Sequence, residues 1–224
     1  MLFPTVMTLF EKLRCLFTFG QGVALPLPKI PENSQPDALF KLWFEDASKS
    51  GILLPEAMSV SSCDSQGQPS SRMVLLKDFD EKGFVFYTNY GSRKSHDLSN
   101  NNKVALLFHW GVLQRQIRIE GIVEKVTEQE SADYFHSRDK GSQIGAWASK
   151  QSQKLTHDSE LTERMSHFQS EYGNKEEVPH PKFWGGWRVK PHYIEFWQGR
   201  ANRLHDRVCF EKQDGQWHNF KLHP

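Results

Sequence analysis

Ala57-Met-Ser-Val-Ser-Ser-Cys-Asp-Ser-Gln-Gly-Gln-Pro-Ser-Ser-Arg-Met-Val-Leu-Leu-Lys77 places two short runs of strand-forming residues around a turn. The turn is Asp64-Ser-Gln-Gly67, in which the aspartate can hydrogen-bond its own backbone and the glycine accepts a positive φ. Strand, turn and strand at this spacing predict an antiparallel hairpin, with strands over Ala57–Cys63 and Ser70–Lys77. Similar runs follow at Gly83–Thr88, Val104–Trp110 and Arg115–Val126, and Asp80-Glu-Lys-Gly83 supplies another turn. Strand-like runs return at Trp184–Val189, Tyr193–Trp197, Arg207–Glu211 and Gln216–Leu222. Many short strands joined by turns imply a mainly β, α+β fold: a closed or partly closed barrel, not a parallel sheet.

Helices are expected at its periphery. One carries Leu39, Leu42, Trp43 and Ala47 near one face. Thr127-Glu-Gln-Glu130 is a capping box that opens a second, running to about Ser137. A third covers Ser159 to about Tyr172. Before them, Leu2, Phe3, Val6, Leu9, Phe10, Leu13, Leu16 and Phe17 recur at helical spacing, and four prolines between Leu25 and Asp37 read as an extended connector. The chain therefore divides into an amphipathic segment with connector, residues 1–35, and one domain, residues 36–224.

At 224 residues the chain is long enough for one sizeable core. Its 38% hydrophobic and 25% charged content is ordinary for a globular protein. A formal charge of +1 argues against a nucleic-acid binder, so phosphate affinity must come from local clusters. Cys15, Cys63 and Cys209 are odd in number and far apart, which suits reduced thiols in the cytoplasm better than disulfides or zinc. No apolar run approaches the roughly 18 residues of a membrane span. H-E-x-x-H, G-x-S-x-G, Walker and G-x-G-x-x-G patterns do not occur, so hydrolase, kinase and Rossmann dehydrogenase readings lose their usual support.

Three clusters point to chemistry. Glu195-Phe-Trp-Gln-Gly-Arg-Ala-Asn-Arg-Leu-His-Asp-Arg207 holds three arginines and a histidine behind a Phe-Trp pair. Arg203, His205 and Arg207 alternate, so a strand would turn them to one face. Guanidinium forks fit phosphate and aromatic rings fit a flat heterocycle, hence an aromatic, phosphorylated small molecule. Ser71-Arg-Met-Val-Leu-Leu-Lys77 is a buried-strand run with a cation near each end. Arg72 and Lys77 differ in parity, so both can face one ligand only through a bulge or with the lysine past the strand end. Phe84-Val-Phe-Tyr-Thr-Asn89 followed by Gly91-Ser-Arg-Lys94 delivers Tyr87, Thr88, Arg93 and Lys94 to a helix start, where free N–H groups attract phosphate. Gln116 lies on the polar side of an alternating strand. Tyr134 and Arg138, four apart, are expected on one helical face with Ser142 just beyond.

Taken in order, Arg72-Met-Val-Leu-Leu-Lys77, Phe86-Tyr-Thr-Asn89, Ser92-Arg-Lys94, Arg115-Gln-Ile-Arg118, Tyr134-Phe-His-Ser-Arg138, Gly141-Ser-Gln-Ile-Gly145, Trp184-Gly-Gly186 and Glu195-Phe-Trp-Gln-Gly199 through Arg203-Leu-His-Asp-Arg207 resemble the pyridoxine (pyridoxamine) 5′-phosphate oxidase family. The resemblance spans roughly residues 36 to 224. It implies an FMN-binding split β-barrel and a homodimer with two FMN sites, each lined by both subunits. For FMN it implies Arg72, Met73, Val74, Leu75, Leu76, Lys77, Tyr87, Thr88, Arg93, Lys94, Gln116, Gln151, Ser152, Trp197 and Arg207. For the substrate it implies Lys77, Tyr134, Arg138 and Ser142 around a 5′-phosphate, with Arg203 and His205 orienting and polarising the pyridine ring. The implied reaction oxidises pyridoxine or pyridoxamine 5′-phosphate to pyridoxal 5′-phosphate, with dioxygen as acceptor and hydrogen peroxide as by-product. Two departures stand out. Met1–Ile30 holds no copy of the family's basic R-x-x-Y segment, and the usual Arg-Leu-x-Pro ending reads Lys221-Leu-His-Pro224.

Overall fold

The computed structural model of the protein describes residues 34–224. The amphipathic helix, most of the proline-rich connector and Cys15 lie outside the described residues. Among those described, nine strands form one antiparallel sheet: β1 (Ala57–Cys63), β2 (Pro69–Leu75), β3 (Asp78–Asp80), β4 (Gly83–Asn89), β5 (Lys103–Trp110), β6 (Arg115–Lys125), β7 (Trp184–Gln198), β8 (Asp206–Gln213) and β9 (Gln216–Lys221). Five helices accompany them: α1 (Pro36–Lys49), α2 (Arg93–Asn100), α3 (Glu128–Ser137), α4 (Lys140–Ala148) and α5 (Glu160–Tyr172).

The strand order is β2-β1-β5-β6-β7-β4-β3, with β8 pairing β7 and β9 pairing β8. Its two outer members, β2 and β3, are joined by only Leu76 and Lys77. A flat sheet of that order would hold its edges many strand widths apart. The sheet therefore curls until its edges meet, and the Lys77 amide donates across the seam to the Val85 carbonyl at 2.9 Å. The result is a half-barrel split along one seam.

Strict alternation fills its interior. β1, β5 and β6 bury every second residue, including Met58, Val60, Leu106, Phe108, Ile117 and Ile119. Helix α1 plugs one end. Phe40 packs edge-on against Phe79, Phe84 and Phe108, and Trp43 against Phe196 at 5.3 Å. Arg115 pins this helix by an ion pair to Asp46 at 2.7 Å while its guanidinium lies 4.6 Å from the Trp43 ring centroid.

Several expectations need correction. Leu42 is 47% exposed, because the stripe of α1 that meets the barrel is Leu39, Phe40, Trp43 and Ala47. The run before Lys77 is not a buried strand: β2 is an edge strand, ends at Leu75, and leaves Met73 65% exposed. The two runs on either side of Pro191 are one continuous strand, β7. Pro191 is tolerated because it faces a register shift at Glu120/Gly121 in β6, where the sheet also changes partner: β4 pairs the first part of β7 and β8 the last. Arg138 is not on the Tyr134 helix; it is the residue that ends α3, with extended backbone. Helix α4 was not anticipated. Finally, Arg203 sits in a 3₁₀ turn with φ 61°, after Asn202 at φ 58°, so Arg203 and His205 precede β8 instead of alternating along it with Arg207.

Candidate functional site

A groove of about 660 Å³ lies along the seam of the half-barrel. β2 supplies one wall from Ser70 to Leu75, Lys77 the junction, and β4 the other wall through Tyr87, Thr88 and Asn89. Arg93 and Lys94 from the start of α2 close one end, and Gln151 and Ser152 come from the loop after α4. Lys77 reaches this groove because it lies past the end of β2, which resolves its parity against Arg72.

The α2 end is built to hold an anion. Lys94 is buried, and its ammonium donates to Thr88 Oγ1 at 2.8 Å, Gln151 Oε1 at 2.9 Å and Ser92 Oγ at 3.3 Å, all neutral oxygens. Burial first, and the nearby Arg72 charge second, hold its pKa down to about 8. Arg72 is set from behind. Nη1 donates to Ser62 Oγ at 2.7 Å and Nη2 to Ser70 Oγ at 2.6 Å, while both serines donate to the buried Asp97 carboxylate. Ser92, the residue before α2, makes no side-chain cap, so the first-turn amides keep their donors for a ligand.

The Lys94 shift has a measurable sign. In the unfolded chain a lysine titrates near 10.4, so between about pH 8 and 10.4 the unfolded state binds a proton that the folded one lacks. Stability from this group is therefore lowest below pH 8 and rises through that window. Urea unfolding of wild type is expected to gain, relative to Lys94→Met, up to on the order of 2 kcal/mol between pH 8 and 10. A pH-independent difference between the two chains would contradict the burial argument.

The other end is aromatic. Tyr87 and Tyr134 stack at 4.0 Å and 17°, and Trp184 lies parallel to both at 5.6 and 6.2 Å. The Arg138 guanidinium lies 4.7 Å from the centroid of the Trp184 ring. Its Nη1 is buried without a hydrogen-bond partner, a donor that an incoming anion would satisfy. Burial pushes Tyr87 up to about 12, with the Glu130 charge as the next cause. The stack needs Gly186, since a Cβ there would lie 2.9 Å from the Tyr87 ring and 2.7 Å from Val126 Cγ2.

Seven of the expected residues do not line the groove. Leu76 is a core side chain whose amide is spent on the Glu56 carbonyl. Ser142 lies in the first turn of α4, where its amide is capped by Asp139. Gln116, Trp197, His205 and Arg207 form a second cluster, and Arg203 lies in the turn that leads into it. Gln116 pairs with Trp197 and Trp197 with Arg207, one row across β6, β7 and β8. His205 packs on Trp197 at 4.5 Å, and its Nδ1 accepts from the Arg200 amide, leaving the neutral ring's proton on Nε2. Trp184 in the groove and Trp197 in the row stand at opposite ends of β7, roughly 40 Å of strand apart. Within one chain the row therefore lies apart from the groove lining. Groove residues that sequence reasoning missed are Ser70, Ser71, Ser149, Asn89, whose Nδ2 donates to the Ser149 carbonyl, and Trp184, whose signal was the Trp-Gly-Gly run. Among the described residues no helix is long and apolar enough to cross a membrane.

Residues 44–198 match the sequence profile of the family described as pyridoxamine 5′-phosphate oxidase, and residues 184–224 match the pyridoxine 5′-phosphate oxidase C-terminal dimerisation region. Gln116 and Trp197 fall within the first match, and the row's β7 and β8 members lie within the second. A pyridoxine/pyridoxamine 5′-phosphate oxidase of Colwellia psychrerythraea is 77% identical over 97% of this chain and all of its own length. One of Psychromonas ingrahamii is 52% identical with the same coverage. The crystal structure of PhzG from Burkholderia lata in complex with tetrahydrophenazine-1-carboxylic acid superposes with a TM-score of 0.85 at 27% identity, covering 91% of this chain and all of that one. An FMN-binding protein of Nostoc punctiforme, with TM-score 0.68 at 11% identity, shares the fold.

Proposed function

We propose, for a chain that belongs to the pyridoxamine 5′-phosphate oxidase family, that it oxidises pyridoxine or pyridoxamine 5′-phosphate to pyridoxal 5′-phosphate using FMN, with dioxygen as the final acceptor. The observation that carries this reading is the pair of cationic stations in one groove: Lys94 with Arg72 and Arg93 at one end, and Arg138 on the aromatic stack, with Lys77 at the junction of the walls. A site for a single phosphorylated molecule needs only one. Two anionic tails, each with a flat ring between, account for both.

The residues present fit FMN. Lys94 holds a buried charge against neutral oxygens, and the α2 amides face the same end, so a phosphate there gains charge and donors together. Above about pH 8 its binding would take up a proton on Lys94. FMN, when bound, supplies the two-electron acceptor that the chain itself lacks. Thr88 and Gln151 set the lysine; Met73, Val74 and Leu75 offer strand edge to the ring. Lys77, Tyr134 and Arg138 hold the substrate's 5′-phosphate, together with Ser142 from the first turn of α4. Arg203 and His205 come from the second protomer and orient the pyridine ring, His205 through its Nε2–H. The alcohol substrate loses two electrons and two protons as CH₂OH becomes CHO; the amine also takes up water and releases ammonia. Positioning two rings face to face can supply up to about 7–11 kcal/mol of the barrier. A dimer with FMN at its interface, in the cytoplasm, completes the proposal. The free Cys63 and Cys209 are consistent with that compartment.

The test is direct. Purified protein should be yellow, and pyridoxine 5′-phosphate in air should yield pyridoxal phosphate and peroxide in equal amounts. Arg93→Ala is expected to weaken FMN retention about tenfold while leaving turnover at saturating FMN within about twofold. Flavin bound without product would leave a flavoprotein of another substrate.

A further inference from the structure

Glu195 opens the motif that carries Trp197, Arg203, His205 and Arg207. It is a carboxylate in the protein interior, 2% exposed. Its side chain lies on the same face of β7 as Trp197, one step along the strand, and diagonally across from Arg207 on β8. Arg207 Nε donates to Oε1 at 2.7 Å and Nη2 to Oε2 at 2.9 Å, a fork-on-fork pair. Arg118 approaches Oε2 from β6 at 3.8 Å. The third nitrogen of Arg207, Nη1, donates to the His223 carbonyl at 3.0 Å, and the Leu222 amide returns a bond to the Arg207 carbonyl at 3.2 Å.

We propose that Glu195 is the positioning residue for Arg207, gripping the Nε–Nη2 edge of its guanidinium so that the remaining Nη donors are aimed at the cofactor. This rests on the reading of Arg207 as a cofactor-binding side chain. An arginine has five N–H donors in a rigid planar fork, and here three are engaged. Two remain, one on each Nη. A free arginine on a strand end must give up much of its rotamer freedom on binding; this one has already given it up on folding. Charge is conserved in the right sense as well. Two arginines share one carboxylate, so the cluster keeps one net positive charge beside Trp197 for an anionic or electron-rich ligand. The same pair holds Arg207 above its ordinary pKa, hydrogen bonding to Glu195 being the main cause. The C-terminal residues join in through backbone groups alone, so Lys221 in place of the family's arginine leaves this brace intact.

The experiment is a double-mutant cycle on cofactor affinity in the flavin-stripped, full-length dimer, read by quenching of added FMN fluorescence. No turnover is needed. Arg207→Ala is expected to weaken FMN binding, and Glu195→Ala to weaken it about tenfold. In the Arg207→Ala background, Glu195→Ala is expected to change affinity by less than about twofold, because its only route to the cofactor is gone. Glu195→Gln keeps the shape and one acceptor, and should fall between wild type and alanine; it carries the cycle if the alanine chain does not fold. Equal weakening by the Glu195 substitution with and without Arg207, or wild-type affinity in the Glu195 variants, overturns the proposal. If Arg207→Ala itself leaves FMN affinity unchanged, the assignment of Arg207 to the cofactor fails and this inference with it. Weakening by Arg207→Ala without coupling sinks the Glu195 role alone.

Discussion

A heterodimer of one Arg138→Ala protomer and one Arg203→Ala protomer is expected to keep about half of wild-type turnover, although each variant's homodimer falls about a hundredfold. The reason is the length of β7. Arg138 belongs to the groove and Arg203 to the turn beyond the row, and the strand holds the two parts at opposite ends of one chain. If each active site takes its groove from one protomer and its turn from the other, the mixed dimer has one site with both defects and one with neither. Were a site complete within one chain, every site in the mixed dimer would carry a defect and activity would stay at the parents' level. Co-expression with two different affinity tags and purification over both isolates the mixed species. Turnover per bound flavin is then compared with the homodimers.

The second large effect concerns the fold. Gly121→Ala is expected to destabilise the chain by about 3 kcal/mol. A Cβ at this position would lie 2.3 Å from the Lys190 carbonyl oxygen, 2.9 Å from its carbon and 3.1 Å from Pro191 Cα. These are backbone atoms, which cannot swing aside without opening the β6–β7 ladder at the irregularity where Pro191 sits. Gly145→Ala is the control: nothing lies within 4 Å of its Cβ and it stands within α4, so it should be neutral or stabilise by about 0.5–1 kcal/mol. Urea midpoints for the two variants should move in opposite directions, or the first alone should move. A Gly121→Ala chain as stable as wild type would mean that β6 and β7 are not held this close.

What could be read from residues alone was local. The β1 boundaries follow from its own alternation, and the start of α3 from Thr127 and Glu130, whose reciprocal bonds form as the pattern requires. The misses came where distant groups decide. Pro191 looked like a strand break because only its partner across the sheet, the irregular Gly121 position, makes a proline acceptable there. Helix α4 is short, contains Gly141 and Gly145, and is held by packing of Ile144 and Ala146 rather than by propensity. The alternation of Arg203, His205 and Arg207 suggested a strand, but Asn202 and Arg203 adopt left-handed backbone and the strand begins only at Asp206. Arg138 lies beyond the end of its helix, so it does not share a helical face with Tyr134; both line the groove all the same, and the Arg138 guanidinium rests on Trp184. For the site, the residues on β2, β4 and α2 could be grouped because turns bring them together locally. That Gln116, Trp197, Arg203, His205 and Arg207 stand toward the far end of a long strand was invisible without the sheet.

The parallel rings of Tyr87, Tyr134 and Trp184 form a fixed, handed array of chromophores. Their transitions couple through space at such separations, so near-ultraviolet circular dichroism should carry a signature of this one corner of the molecule. Spectroscopists thus have a built-in gauge of whether the cleft is assembled, legible in colourless protein before any ligand is added.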